Sequence, residues 1–141
     1  MKKILALVLL VVTILGATTA AFAASNVGEI SPYYIGTSNH TATLVIEDGE
    51  ASVSATLTPK TSTSLDKVNI RIELINYSTR ETVFVDDWDT TYQPTLMRFS
   101  KAITEPLTDR GTYYAEITFT CYKGNTLIET IDTATRYVAY K

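Results

Sequence analysis

From Gly111 to Tyr122 the chain alternates without a break. Tyr113, Ala115, Ile117, Phe119 and Cys121 fall on one face; Thr112, Tyr114, Glu116, Thr118, Thr120 and Tyr122 fall on the other. A period of two, rich in β-branched and aromatic residues, marks a half-buried strand. Lys123-Gly124-Asn125 follows, with residues that tolerate positive φ, so the chain reverses there as a hairpin. A strand this long with one apolar face needs a second layer to cover it. The stretch Leu107 to Tyr140 therefore sets the problem that the rest of the chain has to solve.

Residues 1–23 read as a secretory signal. Lys2 and Lys3 form the basic start, Ile4 to Leu15 the apolar run, and Ala21-Phe22-Ala23 a small-x-small cleavage site before Ala24. The run is about half the ~20 residues of a membrane span. No cysteine stands just after the cleavage site, and no sorting motif or apolar tail follows Tyr140. The expectation is a secreted, extracellular protein with no membrane anchor.

Residues 24–141 suit one domain. Without Lys2 and Lys3 the chain keeps 10 basic residues against 15 acidic, a net charge of −5. It has no basic run to grip phosphate, which argues against nucleic acid, and anionic lipid would repel it. Cys121 is the only cysteine, so no intrachain disulfide forms and the core carries stability alone. Its place on the apolar face reads as a small buried hydrophobe, with an intermolecular disulfide or a reactive thiol as alternatives.

Residues 24–40 carry no clean period, and Pro32 and Gly36 interrupt them; they read as an extended lead-in with a short edge strand around Tyr33-Tyr34-Ile35. Strands are predicted over Thr41 to Glu47 and Glu50 to Thr58, joined by Asp48-Gly49, with Ala51, Val53, Ala55 and Leu57 inward. A third runs from Lys67 to Tyr77 with Val68, Ile70, Ile72 and Leu74 inward. A fourth runs from Thr82 to Asp89. A fifth runs from Leu96 to Ile103 with Met97, Phe99 and Ile103 on one face. The last strand has two open registers. A two-residue loop sets Ile128 opposite Cys121; a three-residue loop sets Leu127 there and Ile131 opposite Ile117, and is preferred because it buries more apolar groups. About seven short strands and no helical period predict an all-β, two-sheet antiparallel sandwich over residues 41–141.

Asp109-Arg110-Gly111-Thr112-Tyr113-Tyr114-Ala115 resembles the D-x-G-x-Y-x-C stretch that opens strand F of immunoglobulin domains. The resemblance implies that Tyr113 caps a corner formed with Asp109 and Gly111, and that alanines fill the site of the usual disulfide. Over most of residues 24–141 the chain is similar to small secreted single-domain immunoglobulin-like proteins of Gram-positive, clostridial-type bacteria. The shared layout is Pro32-Tyr33-Tyr34-Ile35, Leu44 to Gly49, Ala51 to Ala55, Val83 to Trp88 and Gly111 to Tyr114. That group brings no activity with it.

The residues offer little to catalysis. His40 is the only histidine and falls in the lead-in, where it reads as an exposed loop residue. One His and one Cys are too few for zinc. Asp86, Asp87 and Asp89 lack the pattern of a calcium loop and read as a solvated turn beside Trp88. No catalytic residue, cofactor or metal is assigned. Asn39-His40-Thr41 and Asn76-Tyr77-Ser78 match the glycan-acceptor pattern by chance. The tyrosines carry more. Tyr33, Tyr34, Tyr92, Tyr114, Tyr122 and Tyr140 fall at outward or loop positions, and exposed tyrosine suits protein or sugar contacts. Tyr114, Tyr122, Trp88 and Tyr92 are the predicted ligand contacts, although Tyr114 and Tyr122 lie about 27 Å apart on one strand. The leading expectation is a non-catalytic immunoglobulin-like module that binds a protein or glycan. The alternatives are a subunit that self-associates through a sheet edge or the lead-in, and a small hydrolase or metal-dependent enzyme.

Overall fold

The computed structural model describes residues 34–141. Residues 1–23, read from sequence as a secretory signal, and residues 24–33, including Tyr33, lie outside the described residues. The chain forms β1 (Thr37–Glu47), β2 (Glu50–Pro59), β3 (Lys67–Asn76), β4 (Glu81–Thr91), β5 (Phe99–Pro106), β6 (Gly111–Lys123), β7 (Thr126–Ala134) and β8 (Val138–Tyr140). One sheet has the order β1-β2-β5; the other has β4-β3-β6-β7, with β8 paired to the start of β6. All pairings are antiparallel. This is a two-sheet sandwich in immunoglobulin-type order, with the fourth strand on the sheet of the third and sixth.

The alternation of each strand places the core. Ala51, Val53, Ala55 and Leu57 of β2 face Val68, Ile70, Ile72 and Leu74 of β3 and the inward set of β6 across one continuous apolar layer. Ala51, Ala55 and Ala115 are fully buried, so small side chains occupy the interior where related folds carry a sulfur bridge. Cys121 is buried in that layer as a free thiol. Asp48 (φ 49°) and Gly49 (φ 81°) both take positive φ, the geometry that a two-residue hairpin with the right twist requires. The corner is present as well: the Tyr113 hydroxyl donates to the Asp109 carbonyl at 2.5 Å.

Four expectations need correction. β1 starts at Thr37, so residues 37–40 belong to a strand and not to the lead-in. His40 consequently sits half-buried on the inward side of β1. It meets the Tyr34 ring edge-on at 5.2 Å and lies 6.2 Å from Phe119. β5 starts at Phe99, and Met97 is exposed in the preceding loop with φ 53°, because a Gln93–Arg98 bridge closes that loop before the strand begins. An eighth strand, β8, adds Val138 and Tyr140 to the core margin, so Tyr140 is not an outward residue.

The fourth correction is the register of β7. The hairpin is tight, pairing Lys123 with Thr126 and Tyr122 with Leu127. A bulge at Ile128 then sets Cys121 opposite Glu129 and Phe119 opposite Ile131. Neither simple register holds, for a physical reason. An unbroken two-residue register would place Asp132 opposite Ile117, inside the sandwich, and turn Ile131 outward. The bulge buries Ile131 and lets Asp132 accept from the Thr118 hydroxyl at 2.7 Å on the outer face.

Candidate functional site

The bulge leaves Glu129 half-buried at the end of the sandwich, where it needs partners. It accepts from Ile35 N at 2.7 Å, Gly36 N at 3.1 Å and the Thr37 hydroxyl at 2.6 Å. One carboxylate on the larger sheet thus holds the entry to the smaller one.

The outer face of β3, β4, β6 and β7 is an ordered polar field. Lys67 pairs with Asp89 at 3.3 Å. Asn69 donates to Asp87 at 3.0 Å and Asp89 at 3.1 Å. Arg71 meets Glu73 at 2.6 Å. The bond from Asn69 and the Lys67 ammonium hold the Asp89 carboxyl below its ordinary value of 3.8. Asp87 and Asp89 are spent on Asn69 and Lys67, and Asp86 falls on the opposite face of β4, accepting from Asp87 N at 2.8 Å. The three acids therefore do not converge. Among the described residues no group of three or more His, Cys, Asp or Glu side chains is placed to hold a metal ion.

One end of this face is aromatic. Tyr77, just past β3, Tyr114 on β6 and Tyr137, before β8, form a cluster with ring centroids 5.0–6.3 Å apart and planes inclined by 55–74°. Tyr77 is 48% exposed and Tyr137 61%. Arg80 lies over the Tyr77 ring at 5.9 Å. Asn76 shapes the turn that presents Tyr77: its Oδ1 accepts from Ser78 N at 2.9 Å, and its backbone carbonyl accepts from Arg80 N at 2.8 Å. Desolvation and the adjacent Glu116 carboxylate hold the Tyr114 phenol above its ordinary value of 10.0, so it stays a neutral donor. A depression of about 410 Å³, lined by Glu116, Thr118, Asp132 and Ala134 among others, lies along β6 and β7. Exposed Val83 and Val85 of edge strand β4 belong to the same sheet.

The predicted contacts do not form one site. Tyr114 joins the cluster. Tyr122 lies at the other end of β6 with Lys67 4.8 Å from its ring centroid. Trp88 turns inward at the β4 edge, stacked on Phe84 at 6.1 Å under the Lys101 ammonium at 4.4 Å. Tyr92 sits in the β4–β5 loop against Phe99 at 5.5 Å. Tyr77 was not singled out although the predicted third strand ends on it, and Tyr137 lies just outside a strand. A signal existed for one of them: the alternation of β3 places Ile75 and Tyr77 outward, two apolar side chains on an otherwise polar face.

The fold defines a class, the immunoglobulin-type β-sandwich. No protein-family model and no curated protein matches the chain. Among solved structures it is similar to the β-1,3-glucan binding domain of carbohydrate-binding module family 56, at 14% identity and TM-score 0.35, over 73% of this chain and 99% of that one. It is also similar to a family 76 glycoside hydrolase from a bovine Bacteroides thetaiotaomicron strain, at 12% identity and TM-score 0.38, over 71% of this chain and 20% of that one. At these scores neither likeness bears on what the chain binds.

Proposed function

We propose that the chain is a secreted, non-catalytic binding module whose contact surface is the tyrosine-bearing end of the larger sheet's outer face, and whose partner is a protein. The observation that carries this reading is the exposed cluster of Tyr77, Tyr114 and Tyr137. Tyrosine offers wide contact area at a low entropy cost, and aromatic residues are enriched in protein interfaces. The ring inclinations favour a protein over a sugar: planes at 55–74° to one another make a knobbed surface, not a flat platform for a pyranose. Glu116 beside Tyr114 suits lysine or arginine on the partner, whose cations also gain from the tyrosine faces.

The test is a comparative pull-down from host and bacterial surface extracts, using wild type and the double variant Tyr77→Ser, Tyr137→Ser. Proteins retained by wild type and lost by the variant support the reading. Retention of a polysaccharide that the variant loses would replace the protein by a glycan. Equal retention by both chains removes the surface from consideration.

The self-association alternative has Val83 and Val85 in its favour, half-exposed on an eleven-residue edge strand. Antiparallel pairing of β4 with itself, with Val83 against Val85, would also set Asp87 opposite Glu81 of the other copy, and like charges directly opposite are destabilising.

A further inference from the structure

At the end of the sandwich away from the tyrosine cluster lies a cleft of about 560 Å³ between the β2–β3 and β4–β5 loops. The cluster and the cleft lie beyond opposite ends of β3. Loops at this end of immunoglobulin variable domains form their binding surface. The volume is within the range of small-molecule sites.

Three properties of the cleft point to one ligand chemistry. Its hydroxyls are dense: Ser38, Thr58, Thr61, Ser62, Thr63 and Ser64 all line it. Ser38 is used internally, donating to the Thr58 carbonyl at 3.0 Å, and Thr63 donates to the Ile35 carbonyl at 3.4 Å. Among the described residues the other four make no hydrogen bond through their hydroxyls. Second, among the described residues the lining contains no carboxylate and no imidazole. Lys60 is the one charged residue among the described residues of the lining, and its ammonium donates to the Tyr34 carbonyl. Third, the opposite wall is apolar: Tyr92, 38% exposed, and Met97, 59% exposed.

The walls are braced before any ligand arrives. Lys60 N donates to the Gly36 carbonyl at 2.8 Å, and Thr63 N to the Lys60 carbonyl at 3.1 Å. Gly36 is packed so closely that an added Cβ would meet Leu65, Glu129 and Thr63 at 3.2–3.4 Å. Across the cleft, Gln93 N donates to the Arg98 carbonyl at 3.0 Å, and Leu96 N to the Gln93 carbonyl at 3.1 Å. Met97 is held at φ 53°, a conformation that disfavours a side chain, while its own side chain gains little burial. Strain kept where packing gains nothing is a feature of ligand clamps.

We infer that this cleft binds a short neutral saccharide. Sugar hydroxyls bond to the serine and threonine hydroxyls of the β2–β3 loop, and the C–H face of a pyranose lies against Tyr92 and Met97. Hydroxyls serve as donor and acceptor alike, so they match a polyhydroxylated ligand whatever its orientation. A chain bearing net negative charge, whose one cation among the described residues of the cleft is bonded to the Tyr34 carbonyl, disfavours acidic sugars. The site stands apart from the tyrosine cluster, so the module could hold a saccharide and its protein partner at once.

The experiment is calorimetric titration of the purified full chain with neutral tetrasaccharides of glucose, mannose and galactose, and with tetragalacturonate as the acidic probe. At least one neutral tetrasaccharide binds, and tetragalacturonate does not. Tyr92→Ala weakens the binding at least tenfold. Met97→Gly weakens it severalfold and yet raises Tm, since glycine accepts φ 53° without strain. Tyr137→Ser leaves it unchanged. The inference is overturned if no neutral probe binds the folded chain, if the acidic probe binds more tightly, or if Tyr92→Ala and Met97→Gly both bind like wild type. Because the two sets of variants share no residue, failure here leaves the protein-binding surface untouched.

Discussion

The Tyr113 hydroxyl donates to the Asp109 carbonyl at 2.5 Å and ties the start of β6 to the corner that precedes it. Burial, with the Asp109 charge a smaller cause, holds this phenol above its ordinary value of 10.0, so it donates throughout the neutral range. Tyr113→Phe removes the bond and keeps the ring. The expected loss is about 1 kcal/mol, or about 4–8 °C in Tm for a domain of this size. Urea unfolding of the two chains measures it.

Burial, then the nearby Glu129 charge, pushes the Cys121 thiol up from 9.0 to about 12. An acid whose folded value is raised contributes stability that is fully present below its unfolded value and lost as pH rises toward the folded one. Wild type therefore loses stability between about pH 9 and 12, and Cys121→Ala loses less over the same window. In the native state at pH 8 the thiol stays inert to an aromatic disulfide reagent, and it reacts once urea unfolds the chain. Rapid native labelling would contradict the buried placement.

Glu129 is the hinge between the two sheets at the entry of β1. Glu129→Ala strands Ile35 N, Gly36 N and the Thr37 hydroxyl together. Hydrogen bonds to a charged group are worth about 1.5–3 kcal/mol each, and water recovers part of the loss for the exposed Ile35 N. The expected destabilisation is about 3 kcal/mol, with faster amide exchange at residues 35–37. Glu129→Gln falls between, since one of its two acceptors becomes a donor.

Trp88 is the only tryptophan, so its emission reports the β4–β5 edge. Lys101→Ala removes the cation 4.4 Å from its ring centroid and should cost about 0.5–1 kcal/mol with a visible change in emission. Trp88 lines neither the cleft nor the tyrosine cluster. Ligands at either place should leave its spectrum unchanged.

The fold was legible because each strand carries its own address. β2, β3 and β6 alternate cleanly, and Asp48-Gly49 announces its turn, so their inward faces were readable residue by residue. Edges were harder. Met97 alternates with Phe99 in sequence, yet the Gln93–Arg98 bridge keeps it out of β5. The lead-in has no period, so β1 could not be extended back to Thr37 from sequence, and His40 was placed in solvent.

The sequence by itself determined the sandwich, the inward face of most strands and the absence of an intrachain disulfide, because each follows from local spacing or from a count; the tyrosine corner was implied by the resemblance carried by Asp109 to Ala115. Tertiary structure alone decided the rest. The bulge at Ile128 answers to a carboxylate that must stay outside, and Glu129 answers to amides 94 and 93 residues away. Tyr77 meets Tyr137 only because β6 lies between β3 and β8. Such contacts depend on which strands become neighbours, and a period of two is blind to that.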